Sequence, residues 1–185
     1  MNKNFLNNIS NNLKGRNIFL IGMMASGKSK TGPLLAQMLK YKFIDLDNVI
    51  EKVAKKSISK IFLDEGEKIF REYETKCLNE IIKFPSLVIS TGGGIVTKNQ
   101  NWGILRQGII IWIDLDKKYA IERLSLDKNK RPLLKENNIE NDYMRILKSR
   151  KKLYEQADFK IKIYNENVQQ VADKIILQME KILSF

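Results

Sequence analysis

The eight residues GMMASGKS (22–29) stand between a short apolar run that ends at Ile21 and a segment with the apolar periodicity of a helix. They match the phosphate-loop pattern G-x-x-x-x-G-K-[ST], whose glycines let backbone N–H groups and a helix N-terminus surround phosphate oxygens. In this pattern the lysine, here Lys28, reaches the β- and γ-phosphates, and the hydroxyl of Ser29 ligates Mg²⁺. The motif predicts a nucleoside triphosphate site, but by itself it does not indicate the second substrate.

Apolar runs rich in β-branched residues alternate with longer helical patterns along the chain. This alternation is typical of βαβ units, in which a parallel sheet is buried between helices, and it predicts an α/β fold. The first helix is expected to run from the phosphate loop to about residue 40, and the last from about residue 168 to 183. The predicted strands cover residues 17–22, 42–46, 87–91, 108–114 and 159–163.

Length and composition favour a single domain in a reducing compartment. The chain has 185 residues, of which 43% are hydrophobic, and this is enough for one core. One cysteine, Cys77, and no histidine exclude an intramolecular disulfide framework and imidazole chemistry. No apolar run approaches the roughly 20 residues of a membrane-spanning helix, so we expect a cytoplasmic protein with no membrane partner. The asparagine-rich residues 1–16 are expected to be a frayed N-terminal extension of a domain at 17–185.

The formal net charge of +12 raises the possibility of a nucleic-acid partner, because clustered basic side chains gain affinity by releasing counterions from phosphate backbones. Here the lysines are scattered over most of the predicted helices, and the densest run, 148–152, lies within a helix. This distribution favours a solvated surface that attracts small anions, with no nucleic acid bound. A basic nucleic-acid-binding NTPase remains the alternative from a different class.

Two carboxylates lie at the end of the second predicted strand, at positions i and i+2: Asp45 and Asp47. In an extended chain this spacing places both on one face, at the strand end where α/β sheets bind ligands. One could hold Mg²⁺ and the other a substrate hydroxyl; alternatively, one of them only caps the next helix. Asp114 and Asp116 form a competing pair, which ranks second because Asp116 reads as a helix N-cap.

A glycine triplet (92–94) directly follows the third predicted strand, where it lets a ligand approach the backbone. Arg71 and Glu74 lie three residues apart on one helix, so the carboxylate can hold the guanidinium in position. Arg150 lies on another helix. Two such arginines could clamp a carboxylate with paired hydrogen bonds, whereas each taken alone reads as a surface ion-pair residue.

Residues 127–140 are polar, contain Pro132 and show little periodicity between two predicted helices. A segment of this length inside a compact domain is typical of a functional lid, with a surface loop as the alternative. Within it, Arg131 could reach the γ-phosphate and neutralise charge that develops there.

Taken together, these motifs resemble the shikimate kinase family in identity, order and spacing over residues 17–185. The resemblance implies a three-layer αβα fold with a five-stranded parallel sheet in the order 2-3-1-4-5, a phosphate loop and a mobile lid. It also implies ATP-dependent phosphorylation of the 3-hydroxyl of shikimate, a step of aromatic amino acid biosynthesis. We expect the protein to be a monomer. The alternative within the enzyme class is a gluconate kinase-like enzyme. The motifs are GMMASGKS (22–29), DLD (45–47), FR-x-x-E (70–74), GGG (92–94), RPLL (131–134) and R-x-x-LY (150–154).

The resemblance also implies the site residues. Catalysis falls to Lys28, Asp47 and Arg131, and the metal, one Mg²⁺, to Ser29 and Asp45. Shikimate is expected to contact Asp47, Arg71, Gly92, Gly93, Gly94 and Arg150. ATP, the co-substrate, is expected to contact Gly22, Ala25, Ser26, Gly27, Lys28, Ser29, Lys30, Arg123 and Arg131.

Overall fold

A computed structural model describes residues 2–127 and 131–183. Within these residues, five parallel strands form one sheet. The strands are Ile18–Ile21 (β1), Lys42–Asp45 (β2), Leu87–Ser90 (β3), Ile109–Leu115 (β4) and Phe159–Ile163 (β5). Their order across the sheet is β2-β3-β1-β4-β5. The predicted fold class and strand order are therefore confirmed, and the predicted strand bounds differ by at most one residue at either end.

Helices flank the sheet, so the chain forms three layers. In one group, α1, α2 and α9 pack on one another, and in another, α3, α4 and α6 pack against α5 or against each other. None of the helices in the described residues is long and apolar enough to cross a membrane. The helices are Lys3–Leu13 (α1), Lys28–Leu39 (α2), Leu46–Ala54 (α3), Ile58–Asp64 (α4), Gly66–Ile81 (α5), Asn99–Leu105 (α6), Lys117–Leu126 (α7), Ile139–Tyr154 (α8) and Val168–Leu183 (α9).

The burial of each strand follows its place in the sheet. Every residue of the inner strands β1 and β3 is buried, because layers of helices cover both faces of a parallel sheet. The edge strand β5 instead alternates, with Lys160 and Lys162 exposed. Charged side chains on an edge strand oppose pairing with another sheet. Cys77 is a small core residue, buried on α5.

The N-terminal segment departs from the prediction of a frayed extension, which is wrong for residues 3–13. These residues form α1, capped by Asn2, with Ile9 and Leu13 buried against the core. The hydroxyl of Ser10 donates to the Leu39 carbonyl at the end of α2, at 2.8 Å. The apolar residues recur at helical spacing, but the many asparagines between them hide this pattern when composition alone is considered.

Candidate nucleotide and acceptor site

A cleft of about 830 Å³ opens where the strands end and the loops that follow them begin. Parallel sheets bind ligands at this edge because several loops and helix N-termini converge there. The cleft is lined by predicted site residues: Ala25, Ser26, Gly27, Lys28, Ser29, Lys30, Asp47, Gly92, Gly93, Arg123 and Arg131.

The phosphate loop has the backbone geometry that its glycines allow. Gly22 and Gly27 have φ angles of 140° and 92°, and a Cβ on Gly22 would lie 2.4 Å from the Ile113 carbonyl oxygen. Ala25 is also in the left-handed region, with φ of 62°, although it has a side chain. This conformation costs a non-glycine residue about 1–2 kcal/mol, so the loop carries strain at Ala25.

The Lys28 amine lies at the centre of this loop. Its Nζ donates to the carbonyls of Gly22 and Met23, at 2.9 and 2.8 Å, and lies 3.2 Å from Ser26 Oγ. Burial lowers the pKa of Lys28 to about 8, while the charges of Asp47 and Asp45 oppose that shift. The cation is therefore held by weak carbonyl partners, which phosphate oxygens can replace with stronger, charge-assisted bonds.

Ser29 and Asp45 are both next to Ser90, a residue that was not predicted from the sequence. Ser29 Oγ lies 3.2 Å from Ser90 Oγ on β3, and Ser90 is the cross-strand partner of Asp45. Hydroxyl and carboxylate oxygens are ligands that Mg²⁺ accepts. No group of three or more acidic, histidine or cysteine side chains in the described residues could hold a metal by itself. The donor set fits an ion that also takes phosphate and water oxygens, as Mg²⁺ usually does.

The local geometry of the acidic pair differs from the prediction. Strand β2 ends at Asp45 and α3 begins at Leu46, so Asp47 lies in the first helical turn and not along an extended strand. Asp45 Oδ1 accepts from the Asp47 N–H at 3.1 Å and caps the helix, which is the alternative kept above. Capping a helix is a common role for aspartate, and a carboxylate has further lone pairs for a metal-bound water. The charges of both carboxylates still act on Lys28.

The competing pair lies elsewhere. Asp116 caps α7 by accepting from the Lys118 N–H at 3.0 Å, as predicted. Asp114 faces the basic side chains of β5, with Lys160 Nζ at 3.9 Å. Asp47 is among the residues that line the cleft, whereas Asp114 and Asp116 are not. The geometry therefore favours the pair after β2.

Arg71 is buried and held by two carboxylates. Its Nη1 lies 2.9 Å from Glu74 Oε2, which confirms the predicted pairing, and its Nη2 lies 2.8 Å from Glu67 Oε1. The guanidinium lies against the backbone of Gly94, where a Cβ would be 2.2 Å from Nη2. Glu74 has no exposed surface, and burial raises its pKa to about 7, opposed by the charge of Arg71.

Arg150 reaches the same glycine triplet from α8. A Cβ on Gly93 would lie 3.6 Å from Arg150 Nη1 and 3.5 Å from the Met24 backbone nitrogen in the phosphate loop. Both Arg150 and Arg71 are buried, at 7% and 6% exposure, which rules out the reading of each as a surface ion-pair residue. The two guanidinium groups therefore flank adjacent glycines, directly beside the phosphate loop.

Two carboxylate oxygens above Gly92 are buried and have no hydrogen-bond partner among the described residues: Asp47 Oδ1 and Glu74 Oε1. A Cβ on Gly92 would lie 3.0 and 2.8 Å from them. Burial and the charge of Asp45 raise the pKa of Asp47. Buried acceptors without donors are costly and uncommon, so these oxygens point to a ligand that brings hydrogen-bond donors, such as hydroxyl groups.

The predicted lid is described only in part, since residues 128–130 lie outside the described residues. Arg131 borders the cleft and forms an ion pair with Asp127, Nη2 to Oδ2 at 2.9 Å. The segment ends two residues earlier than predicted, because α8 begins at Ile139. Arg123 lies beside the loop, where Nη1 donates to the Ala25 carbonyl at 3.2 Å.

Comparison with known proteins identifies this arrangement. The shikimate kinase family model matches residues 24–180. The chain is 52% identical over 171 residues to a shikimate kinase of Prochlorococcus marinus (strain NATL2A), covering 92% of this chain and 86% of that protein. The chain belongs to the shikimate kinase family.

Solved structures resemble this chain to different degrees. A shikimate kinase from Acinetobacter baumannii in complex with shikimate superimposes with a TM-score of 0.87 at 35% identity, covering 95% of this chain and 97% of that one. A gluconokinase from Sinorhizobium meliloti 1021 gives a TM-score of 0.58 at 12% identity, which shows a shared fold only.

Several residues of this shikimate kinase site were not predicted. Ser90 and Tyr154 contact predicted site residues through side-chain bonds across the fold, and no local pattern marks such contacts in advance. Glu67 pairs with Arg71 within α5. The helical spacing of Glu67 and Arg71, four residues apart, could have indicated their pairing. The remaining cleft wall comprises Met24, Thr31, Thr91, Leu126, Asp127, Ile163, Glu166, Asn167, Val168 and Val171.

Adding a methyl group at Gly94 should displace Arg71. The new Cβ would lie within 2.3 Å of three guanidinium atoms, so Gly94→Ala is expected to lower kcat/KM for the acceptor at least tenfold. Gly103→Ala on α6 is the matched control, because nothing lies within 4 Å of its Cβ. Steady-state kinetics of both variants test this, and equal activity of the two would show that Arg71 need not stay where it is.

Proposed function

We infer that this chain transfers the γ-phosphoryl group of ATP to the 3-hydroxyl of shikimate, giving shikimate 3-phosphate and ADP in the pathway to aromatic amino acids. The observation that carries this inference is the convergence of Arg71 and Arg150 on a glycine triplet beside the phosphate loop, with the unpartnered Asp47 and Glu74 oxygens above it. Two arginines suit one carboxylate, and acceptor oxygens suit hydroxyls. Shikimate carries both kinds of group.

The nucleotide side of the proposal rests on the loop. Its backbone N–H groups and the α2 N-terminus surround the phosphates, and Lys28 leaves the carbonyls of Gly22 and Met23 to contact the β- and γ-phosphates. Arg131 leaves Asp127 and neutralises charge on the transferring group. This requires Arg131 to move away from Asp127. We propose that the 127–140 segment is the lid.

A magnesium ion would be held by Ser29 and, through water, by Asp45, where it would neutralise charge on the β- and γ-phosphate oxygens. Both residues already have fixed side chains: Ser29 through Ser90 and Asp45 through the α3 backbone. Ligands held in this way need little rearrangement when the nucleotide arrives.

On the acceptor side, Arg71 and Arg150 bind the carboxylate of shikimate and fix the ring. Asp47 then orients the 3-hydroxyl toward phosphorus. The hydroxyl oxygen forms the new bond to the γ-phosphorus, the bond from that phosphorus to the bridging oxygen of ADP breaks, and Asp47 accepts the hydroxyl proton. Because the two arginines lie beside the phosphate loop, the bound acceptor and the bound ATP are held next to each other, and the transfer proceeds as a step within one complex.

The proposal also includes two predictions from the sequence: a monomeric state and a cytoplasmic location. Neither affects the chemistry, since every proposed contact lies within one chain.

A coupled ADP-release assay tests the activity, with shikimate, gluconate or nucleic acid added to the protein and Mg·ATP. We expect rapid ADP release with shikimate only, and phosphorus NMR that places the product phosphate on the 3-oxygen. Lys28→Met is expected to abolish the signal, which excludes a contaminating kinase. Faster release with gluconate, or salt-sensitive stimulation by nucleic acid, would assign the protein to one of those two classes instead.

A further inference from the structure

We propose that Tyr154 is a positioning residue. It holds the acceptor clamp, which is the pair Arg71 and Arg150, at a fixed position relative to the phosphate loop. The proposal rests on the shikimate kinase activity inferred above, and it concerns a residue with no contact to nucleotide or acceptor in that mechanism.

The hydroxyl of Tyr154 lies between the acceptor site, formed by the glycine triplet and the two arginines, and the phosphate loop. It donates its single proton to the Gly93 carbonyl at 2.5 Å, and it contacts Met23 Sδ of the phosphate loop at 3.6 Å. The charge of the Arg150 guanidinium, one helical turn earlier on α8, acts on the same hydroxyl and lowers its pKa against the effect of burial. One hydroxyl thus bonds to the glycine triplet, contacts the loop and interacts electrostatically with Arg150.

The ring of Tyr154 cannot easily move away from this junction. It has no exposed surface and stacks on Trp112 of β4, with ring centroids 5.6 Å apart and planes inclined by 22°. Burial raises the pKa of the hydroxyl to about 12, so it remains a donor at neutral pH. A stacked, buried ring in a packed core keeps a single orientation.

The bond to Gly93 sets the position of both arginines. A carbonyl and the following N–H share one peptide plane, so fixing the Gly93 oxygen also fixes Gly94, which touches Arg71. Gly93 itself lies close to both Arg150 and the phosphate loop, since a Cβ on it would be 3.6 Å from Arg150 Nη1 and 3.4 Å from the Gly22 carbonyl oxygen. Loss of the hydroxyl frees the peptide plane that Arg150 and Arg71 lie against.

Such loosening should affect acceptor binding and alignment more than nucleotide binding. A shift of about 1 Å in the position of a reacting group can cost roughly 100-fold in rate, because in-line transfer depends on close approach. The phosphate loop keeps its own bonds, including those of Lys28, without Tyr154.

The test is Tyr154→Phe, which keeps the stacked ring and removes only the hydroxyl. We expect the KM for shikimate to rise about tenfold and kcat to fall about tenfold, with the Kd of a non-hydrolysable ATP analogue changed less than twofold. Tyr143→Phe is the matched control, expected to leave all three values unchanged. Tyr143 is a buried tyrosine of the same helix, and its pKa is raised by burial first and then by Tyr154, Asp114 and Asp116. Unlike Tyr154, it makes no hydrogen bond to the glycine triplet or the phosphate loop among the described residues.

Unchanged KM and kcat in Tyr154→Phe would overturn the proposal, as would equal losses in both variants or a parallel weakening of nucleotide binding. The wild-type protein is assayed alongside. If it does not phosphorylate shikimate, the proposed activity itself is wrong, whereas an active wild type and an equally active Tyr154→Phe refute only the positioning role.

If Tyr154→Phe does not fold, Trp112→Phe replaces it. That variant keeps the hydroxyl but loosens the ring, and a rise in KM below about twofold would refute the role.

Discussion

Replacing either Arg71 or Arg150 with lysine is expected to lower kcat/KM for shikimate by about 100-fold, with the affinity for ATP changed less than twofold. Each guanidinium presents a planar set of donors to the acceptor carboxylate, whereas a lysine ammonium is a point charge that cannot bind both oxygens in the same geometry. Losing one partner of a buried charge pair costs about 2–5 kcal/mol, and 2.7 kcal/mol corresponds to about 100-fold.

Arg71 is the more sensitive of the two positions. Its guanidinium simultaneously contacts Glu74, Glu67 and the Gly94 backbone, and a lysine amine can satisfy only some of these contacts. Because Glu74 has no exposed surface, weakening its ion pair with residue 71 leaves a buried negative charge that is only partly neutralised. We therefore expect a lower midpoint of thermal unfolding for Arg71→Lys, in addition to the kinetic loss.

Arg145→Lys is the matched control for both variants. Arg145 lies on α8 with Arg150, but its side chain is 70% exposed and pairs only with Asp142 among the ion pairs of the described residues. Exposed pairs contribute about 0–1 kcal/mol, so its kinetics should match those of the wild type. Wild-type kcat/KM in both clamp variants would refute the carboxylate clamp and the assignment of shikimate as acceptor.

Asp47→Asn is expected to lower kcat by about 1,000-fold. The asparagine carbonyl can still accept a hydrogen bond from the 3-hydroxyl, but it cannot take the proton, and a general base contributes about 10²–10⁴-fold to the rate. Burial and the neighbouring Asp45 raise the pKa of Asp47, which makes it a stronger base than an exposed aspartate. Single-turnover kinetics with saturating shikimate measure the chemical step alone.

The size of the loss distinguishes the two roles considered for Asp47. A fall of about tenfold would leave it only an orienting role, because a hydrogen bond between neutral groups contributes about 1 kcal/mol. Asp114→Asn is the control and should change kcat less than threefold, since Asp114 faces Lys160 on the edge strand. A larger effect at Asp114 than at Asp47 would show that the wrong acidic pair had been chosen.

Local sequence signals predicted the parts of this molecule that depend on neighbours in the chain. The phosphate loop, the strand bounds to within one residue, helix α9 and the Asp116 cap follow from backbone conformations and periodicities set by adjacent residues. The pairing of Arg71 with Glu74 belongs to the same class, because residues three apart on a helix always share a face.

Local signals were misread where two of them compete over a few residues. The alternation of Asp45 and Asp47 looked like a continuing strand, but the carboxylate of Asp45 caps the backbone that follows, and this capping starts α3 immediately. At the N-terminus, asparagine-rich composition obscured an apolar stripe whose burial depends on α2 and α9.

Long-range packing alone brings α5, α8 and the loops after β1 and β3 to one point. The contacts of Tyr154 with Gly93 and Met23, of Ser29 with Ser90, and of both arginines with one glycine triplet join residues dozens of positions apart. Such contacts arise from the order of the strands and the closeness of core packing, which no window of neighbouring residues encodes. The sequence therefore indicates the chemistry of the individual groups, whereas their convergence around the phosphate loop and the glycine triplet is a property of the fold.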